Sequence, residues 1–170
     1  FLILRPVSRW TLACRRVDQD AIPPRPTSWA GWTVCRRRFN TTNPPGDVTE
    51  AADFLQDILE REGLAVTRYE GAPGKVNVSA RLKGSGDAKP ILLLHHMDVV
   101  PADASRWDSV NPFGGELKDG YIWGRGAIDI KSLGIAHLAA LIDLKRSGLE
   151  RQRGVALLAS ADEETGGSLG

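Results

Sequence analysis

Cysteine is scarce and confined to one end of the chain. Of 170 residues only Cys14 and Cys35 carry a thiol, both within the first 40. No disulfide framework and no paired-thiolate metal site can therefore support the body of the protein, and the two cysteines are read as free thiols or as irrelevant to function. Long apolar runs are missing too. The opening FLIL is broken by Arg5 and Pro6, and nothing approaches the roughly 18 to 20 residues of a membrane-spanning helix. Glycine (18) and proline (10) are too sparse for a fibrous or low-complexity chain. Neither the phosphate-loop pattern GxxxxGK nor the dinucleotide pattern GxGxxG occurs. Gly124-Arg125-Gly126 is therefore read as a close chain approach, and no nucleotide is expected. What remains, 42% hydrophobic and 25% charged, is the composition of one soluble globular domain with its own core.

Lysine is absent from residues 1–40, which carry 8 Arg and 2 Asp for a charge of +6; residues 41–170 carry 14 basic and 19 acidic groups for −5. Residues 1–39 are read as a basic leader, unstructured or foreign to the rest. They hold three of the five Trp, Arg36-Arg37-Arg38 and PPRP, without sustained periodicity. The Arg-rich start, whose first acid is Asp18, also suits an organellar presequence, kept as the alternative to a cytoplasmic location. A nucleic-acid arm would be expected to show lysine or a binding motif, so neither a nucleic-acid nor a membrane partner is expected.

Organised sequence runs from residue 40 to 170. Asn43-Pro44-Pro45-Gly46 reads as a turn, and Asp47 with Glu50 three residues later has capping-box spacing. Val48, Ala51, Ala52, Leu55, Ile58 and Leu59 recur at helical spacing up to the stop at Gly63, predicting a helix over about 48–62. Residues 64–69 read as a strand, and Val76, Val78, Ala80 and Leu82 alternate as in a half-exposed one. Ile91-Leu92-Leu93-Leu94 suits a strand buried on both faces. A hairpin is expected about Asp119-Gly120 and a helix over 130–147 with Leu133, Leu141 and Leu144 inward and Gly148 beyond its end; Val155 to Ala159 is a second buried strand. Strand, helix, strand with a long crossover predicts parallel pairing, hence an α/β class with a mostly parallel sheet flanked by helices.

In such sheets ligands gather beyond the carboxyl ends of the strands. His95-His96-Met97-Asp98 follows the first buried strand, Asp162-Glu163-Glu164 follows the second, and Asp129 lies at the start of the long helix. One imidazole and several carboxylates form an N/O donor set suited to a divalent ion, whose charge offsets their mutual repulsion. In extended chain residues i and i+2 face the same way, so Asp98 can orient the His96 ring. His95 is expected only to neighbour the site, and His137 to pack within the helix.

TTNPPGD (41–47), LLLHHMDVVP (92–101), Trp107 with Pro112-Phe113, GGELKDGYIWGRGAIDIKS (114–132) and ASADEETGG (159–167) together resemble the M20 metallopeptidases and related zinc-dependent deacylases. That group includes acetylornithine deacetylase, succinyl-diaminopimelate desuccinylase, aminoacylase and glutamate carboxypeptidases. The resemblance implies the N-terminal part of a zinc-exopeptidase-type catalytic domain. It also implies hydrolysis of an amide or peptide bond in an N-acyl amino acid or small peptide. By the same likeness His96, Asp129 and Glu164 are metal ligands, with Asp129 bridging two divalent ions, zinc foremost and cobalt or manganese as alternatives. Asp98 is the acid that orients His96, and Glu163 is the catalytic base that deprotonates a shared water. The Asp129–Ile130 peptide bond is expected to be cis.

Ser132 stands where the family usually has Gly. Family members continue beyond the DEE motif to supply further ligands and a lid domain that often mediates homodimerisation. With two protein ligands per ion, where catalytic zinc usually has three, the 170-residue chain is expected to bind metal weakly and turn over little. An inactive fragment, or a binding module that needs another chain, is the alternative.

Overall fold

In a computed structural model, residues 39–107 and 110–170 are described; the basic leader and both cysteines fall outside them, apart from Phe39. Helix α1 (Thr49–Arg61) is followed by β1 (Val66–Ala72), β2 (Lys75–Leu82) and β3 (Ile91–His96), then by a small hairpin of β4 (Glu116–Lys118) and β5 (Tyr121–Trp123). Helix α2 (Ser132–Ser147) and strand β6 (Val155–Ser160) complete the order.

Both helices form where the periodicity places them. Helix α1 buries Ala51, Ala52, Leu55, Ile58 and Leu59 and stops at Glu62, with Gly63 left-handed (φ 67°) just beyond. Burying each of the three large side chains contributes roughly 1.5–3 kcal/mol. The Asp47–Glu50 capping box does not form; Asp47 instead accepts the Thr49 N–H at 2.9 Å, satisfying one orphan donor of the first turn. Helix α2 ends at a left-handed Gly148 as expected, but its inward face is Ile135, Leu138, Leu141 and Ile142, while Leu133 and Leu144 are exposed. The helix begins at Ser132, and its contact face is set by where it crosses β3 and β6.

The main sheet has the order β1-β2-β6-β3. The expected parallel ladder exists between β3 and β6, with Leu93 beside Leu157 and His96 beside Ser160. The β1–β2 and β2–β6 ladders are antiparallel, so the sheet is mixed rather than mostly parallel. The short connection between β1 and β2 closes a hairpin, and β2 lies between β1 and β6, antiparallel to both; spacing alone does not reveal that placement. Both helices pack on the face carrying Val76, Val78, Ala80, Leu157 and Ala159. Strand β3 is therefore not buried on both faces: Leu92 and Leu94 are 54% and 51% exposed. The β4–β5 hairpin turns at Asp119-Gly120 with both residues at positive φ, the backbone a two-residue hairpin favours.

This arrangement directs the ends of β3 and β6 toward one edge. The Asn43–Gly46 turn is tied to the same edge by a bond from the Asn43 N–H to the Val99 carbonyl at 2.9 Å. Among the described residues no helix is long and apolar enough to cross a membrane.

Candidate metal centre

His96 is the last residue of β3 and is buried. Its Nδ1 lies 3.0 Å from the Asp98 carbonyl oxygen and 3.5 Å from Asp98 Oδ1, so Asp98 meets the ring through its main chain first and its carboxylate second. The i and i+2 relationship is realised with that refinement. On the other side of the ring, Nε2 is 3.2 Å from Asp129 Oδ1 and 3.6 Å from Glu163 Oε2. Burial opposes a charged imidazole, but hydrogen bonding to Asp98 and the charges of Asp98 and Glu163 outweigh it and raise the His96 pKa to about 9.

Asp98 is fully buried. Burial alone would raise its pKa; bonds from His96, the Asn43 side-chain amide (2.8 Å) and the Glu164 N–H (3.1 Å) hold it down at about 2. The Glu163 N–H also lies 3.2 Å from Asp98 Oδ1, so this one carboxylate gathers the main chain of the turn that carries both glutamates.

That turn is Glu163–Thr165, entered through Asp162 in the left-handed region (φ 67°), a conformation Asp tolerates better than most residues. It brings Glu163 and Glu164 to His96, and ligand atoms of the three lie within 4.8 Å of one another. Burial pushes the Glu164 carboxyl up, with Asp129, Glu163 and Asp98 adding to the rise and His96 opposing it. This is the field of a carboxylate cluster that a cation would relieve. Asp129 reaches His96 from the segment just before α2, and the Asp129–Ile130 bond is cis. Gly126 adopts φ 75° against Val99, where a Cβ would collide, so the GRG run is a close chain approach.

All five sequence-predicted residues, His96, Asp98, Asp129, Glu163 and Glu164, thus meet at one edge. The tight donor trio contains Glu163 in place of Asp129, because the turn delivers both glutamates to the same side of the ring. His95 is buried on the opposite face, its ring 5.6 Å from that of His137. A cavity of about 500 Å³ adjoins the cluster, lined by Trp107, Tyr121, Trp123, Arg125, Ile128, Asp129 and Glu164 among others. Sequence reasoning assigned no part in the cluster to Asn43, Lys75 or Thr165, and counted Asp162 among the carboxylates without foreseeing its bonds to Lys75 and Asn43. Asn43 was visible only as a turn former, and nothing local marks Lys75.

Residues 92–170 match the model of the peptidase family M20/M25/M40. Over those residues the chain is similar to that family. It is 37% identical to aminoacylase-1 of Sus scrofa over 135 residues, 78% of this chain and 33% of that protein. It is 43% identical to succinyl-diaminopimelate desuccinylase of Ruegeria pomeroyi over 95 residues, 55% of this chain and 24% of that protein. Among solved structures, the M20 family metallo-carboxypeptidase Sso-CP2 of Sulfolobus solfataricus superposes with a TM-score of 0.68 at 26% identity, covering 81% of this chain and 31% of that one. The chain thus spans about a third or less of the length of these M20 relatives. A metallopeptidase family implies divalent-metal use, and one imidazole among three carboxylates is a donor set that fits such an ion.

Proposed function

We propose that residues 40–170 form part of a metal-dependent hydrolase that cleaves an amide or peptide bond of an N-acyl amino acid or small peptide. The observation that carries this reading is the convergence of His96, Glu163 and Glu164 within 4.8 Å, beside Asp129. His96, Asp129 and Glu164 would hold two divalent ions, zinc foremost, with Asp129 shared. Bound there, such ions would lower the pKa of a water and polarise the scissile carbonyl. Glu163, less buried than His96 and beside it, would take the water's proton and return it to the departing amine. Asp98 holds the His96 ring, and the apolar walls of Trp107, Tyr121 and Trp123 offer room for an acyl or side-chain group.

Calorimetric titration with Zn²⁺, followed by hydrolysis of an N-acetyl amino acid panel, tests the proposal. Asp129→Ala is expected to weaken binding about tenfold or more, since even loss of a group that only supports a ligand costs that much. Glu163→Gln is expected to lower any turnover about 100-fold. Binding indifferent to Asp129→Ala, or turnover indifferent to Glu163→Gln, would overturn it. The exposed apolar residues Ile91, Leu92 and Leu94 favour a second reading, in which the centre turns over only when further polypeptide covers β3. In that case the chain alone binds Zn²⁺ weakly and shows no hydrolysis.

A further inference from the structure

We propose that Lys75, acting through Asn43 and Asp162, is a positioning residue for the glutamate-bearing turn; its effect on metal rests on the function proposed above, its effect on the turn does not. Lys75 opens β2, far in sequence from every donor of the cluster. Its Nζ donates to Asp162 Oδ1 at 2.7 Å and to Asn43 Oδ1 at 3.0 Å. Both ends of the ion pair are enclosed, with side chains only 12% and 8% exposed. Asn43 turns the same contact inward: its Nδ2 donates to Asp98 Oδ2 at 2.8 Å and lies 3.1 Å from Asp162 Oδ1. The Thr165 hydroxyl donates to Asp162 Oδ1 at 2.8 Å, closing the turn on itself.

The consequence is a continuous polar path. Lys75 binds Asp162 and Asn43, Asn43 binds Asp98, and Asp98 receives the N–H groups of Glu163 and Glu164 that set where the two side chains go. Asp162 must keep a positive φ at the head of this turn, and three donors on its one oxygen hold it there. Two enclosed carboxylates, Asp98 and Asp162, share one amide between them. Without the ammonium, Asp162 would be a buried charge lacking its counter-ion. The fold also keeps room for the clamp, because a Cβ on Gly46 would strike both Lys75 Nζ and the Asn43 side chain. Lys75 touches none of His96, Asp129, Glu163 or Glu164 in any bond it makes to the clamp, so its influence is on their placement.

The test compares the 170-residue chain with Lys75→Met and with Leu138→Ala, a core variant that lowers stability without touching the clamp. Amide hydrogen exchange is read by NMR without metal, and Co²⁺ is then titrated while its visible absorption is followed. Lys75→Met is expected to speed exchange at Glu163 and Glu164 about tenfold relative to the amides of Leu55 and Ile58. It is expected also to weaken Co²⁺ binding and alter the cobalt band. Leu138→Ala, which lowers global stability, should speed exchange at Leu55 and Ile58 without favouring Glu163 and Glu164, and should leave the band unchanged. Lys75→Gln keeps a donor of shorter reach and gives the same direction in milder form, so it decides the matter if the methionine variant does not fold. An unchanged exchange ratio in the lysine variants, or an equal change in Leu138→Ala, overturns the proposal. If the unaltered chain takes up no Co²⁺, the metal reading fails while the exchange result still decides the clamp.

Discussion

Glu163 and Glu164 are adjacent in sequence yet sit in different electrostatic settings. Glu164 is pushed toward its neutral form by burial and by the carboxylates around it, whereas Glu163 Oε2 stands 3.6 Å from His96 with 58% of its side chain exposed. A ligand and a base are separated by two paired measurements. Glu164→Gln is expected to weaken Zn²⁺ binding about tenfold or more, while Glu163→Gln spares binding and removes turnover; equal losses of affinity would make Glu163 a ligand. Gly46 supplies a stability test at the same scale. Its φ of 73° and the crowding by Lys75 and Asn43 predict that Gly46→Ala lowers stability by at least about 1 kcal/mol in thermal unfolding. His96, Asp98, Glu163 and Glu164 were legible because they fall at or just past the ends of β3 and β6, and Asp129 because it stands just before α2. Lys75 was not, since a lysine at a strand start is ordinary until the fold sets Asp162 against it.

Helix α1 was readable almost to the residue, because five apolar positions repeat on one stripe and Gly63 ends them. Its start was read less well: Asp47 caps by reaching Thr49 rather than by exchanging bonds with Glu50. The Thr49 N–H and hydroxyl hold the Asp47 carboxyl below its ordinary value of 3.8. A folded-state value lower than the unfolded one means that the stabilisation is complete above about pH 4 and disappears as pH falls through the folded value. Asp47→Ala should therefore cost about 1 kcal/mol near neutrality, and the difference in urea midpoints between variant and wild type should shrink as pH falls below the ordinary carboxylate value. The core beneath is less forgiving. Leu55→Ala removes a fully buried side chain and is expected to cost about 2–5 kcal/mol by the same measurement.

Among the described residues, two helices cover one face of a four-stranded sheet, while Leu92 and Leu94 remain open on β3. Leu92→Lys combined with Leu94→Lys is accordingly expected to change unfolding free energy by less than about 1 kcal/mol and to reduce self-association in sedimentation; a large loss of stability would show that this face is already covered. The sequence by itself determined the α/β class, the helix positions, the parallel β3–β6 pair and the gathering of His96, Asp98, Asp129, Glu163 and Glu164. Local periodicity and the geometry of strand ends are short-range properties, so they can be read from neighbouring residues. Only the tertiary structure decided the antiparallel placement of β2, the open face of β3 and the clamp from Lys75 through Asn43 to Asp162. Each of these depends on pairing between segments as many as 119 residues apart, where it is the packing of the elements, and not the pattern within any one of them, that chooses the partner.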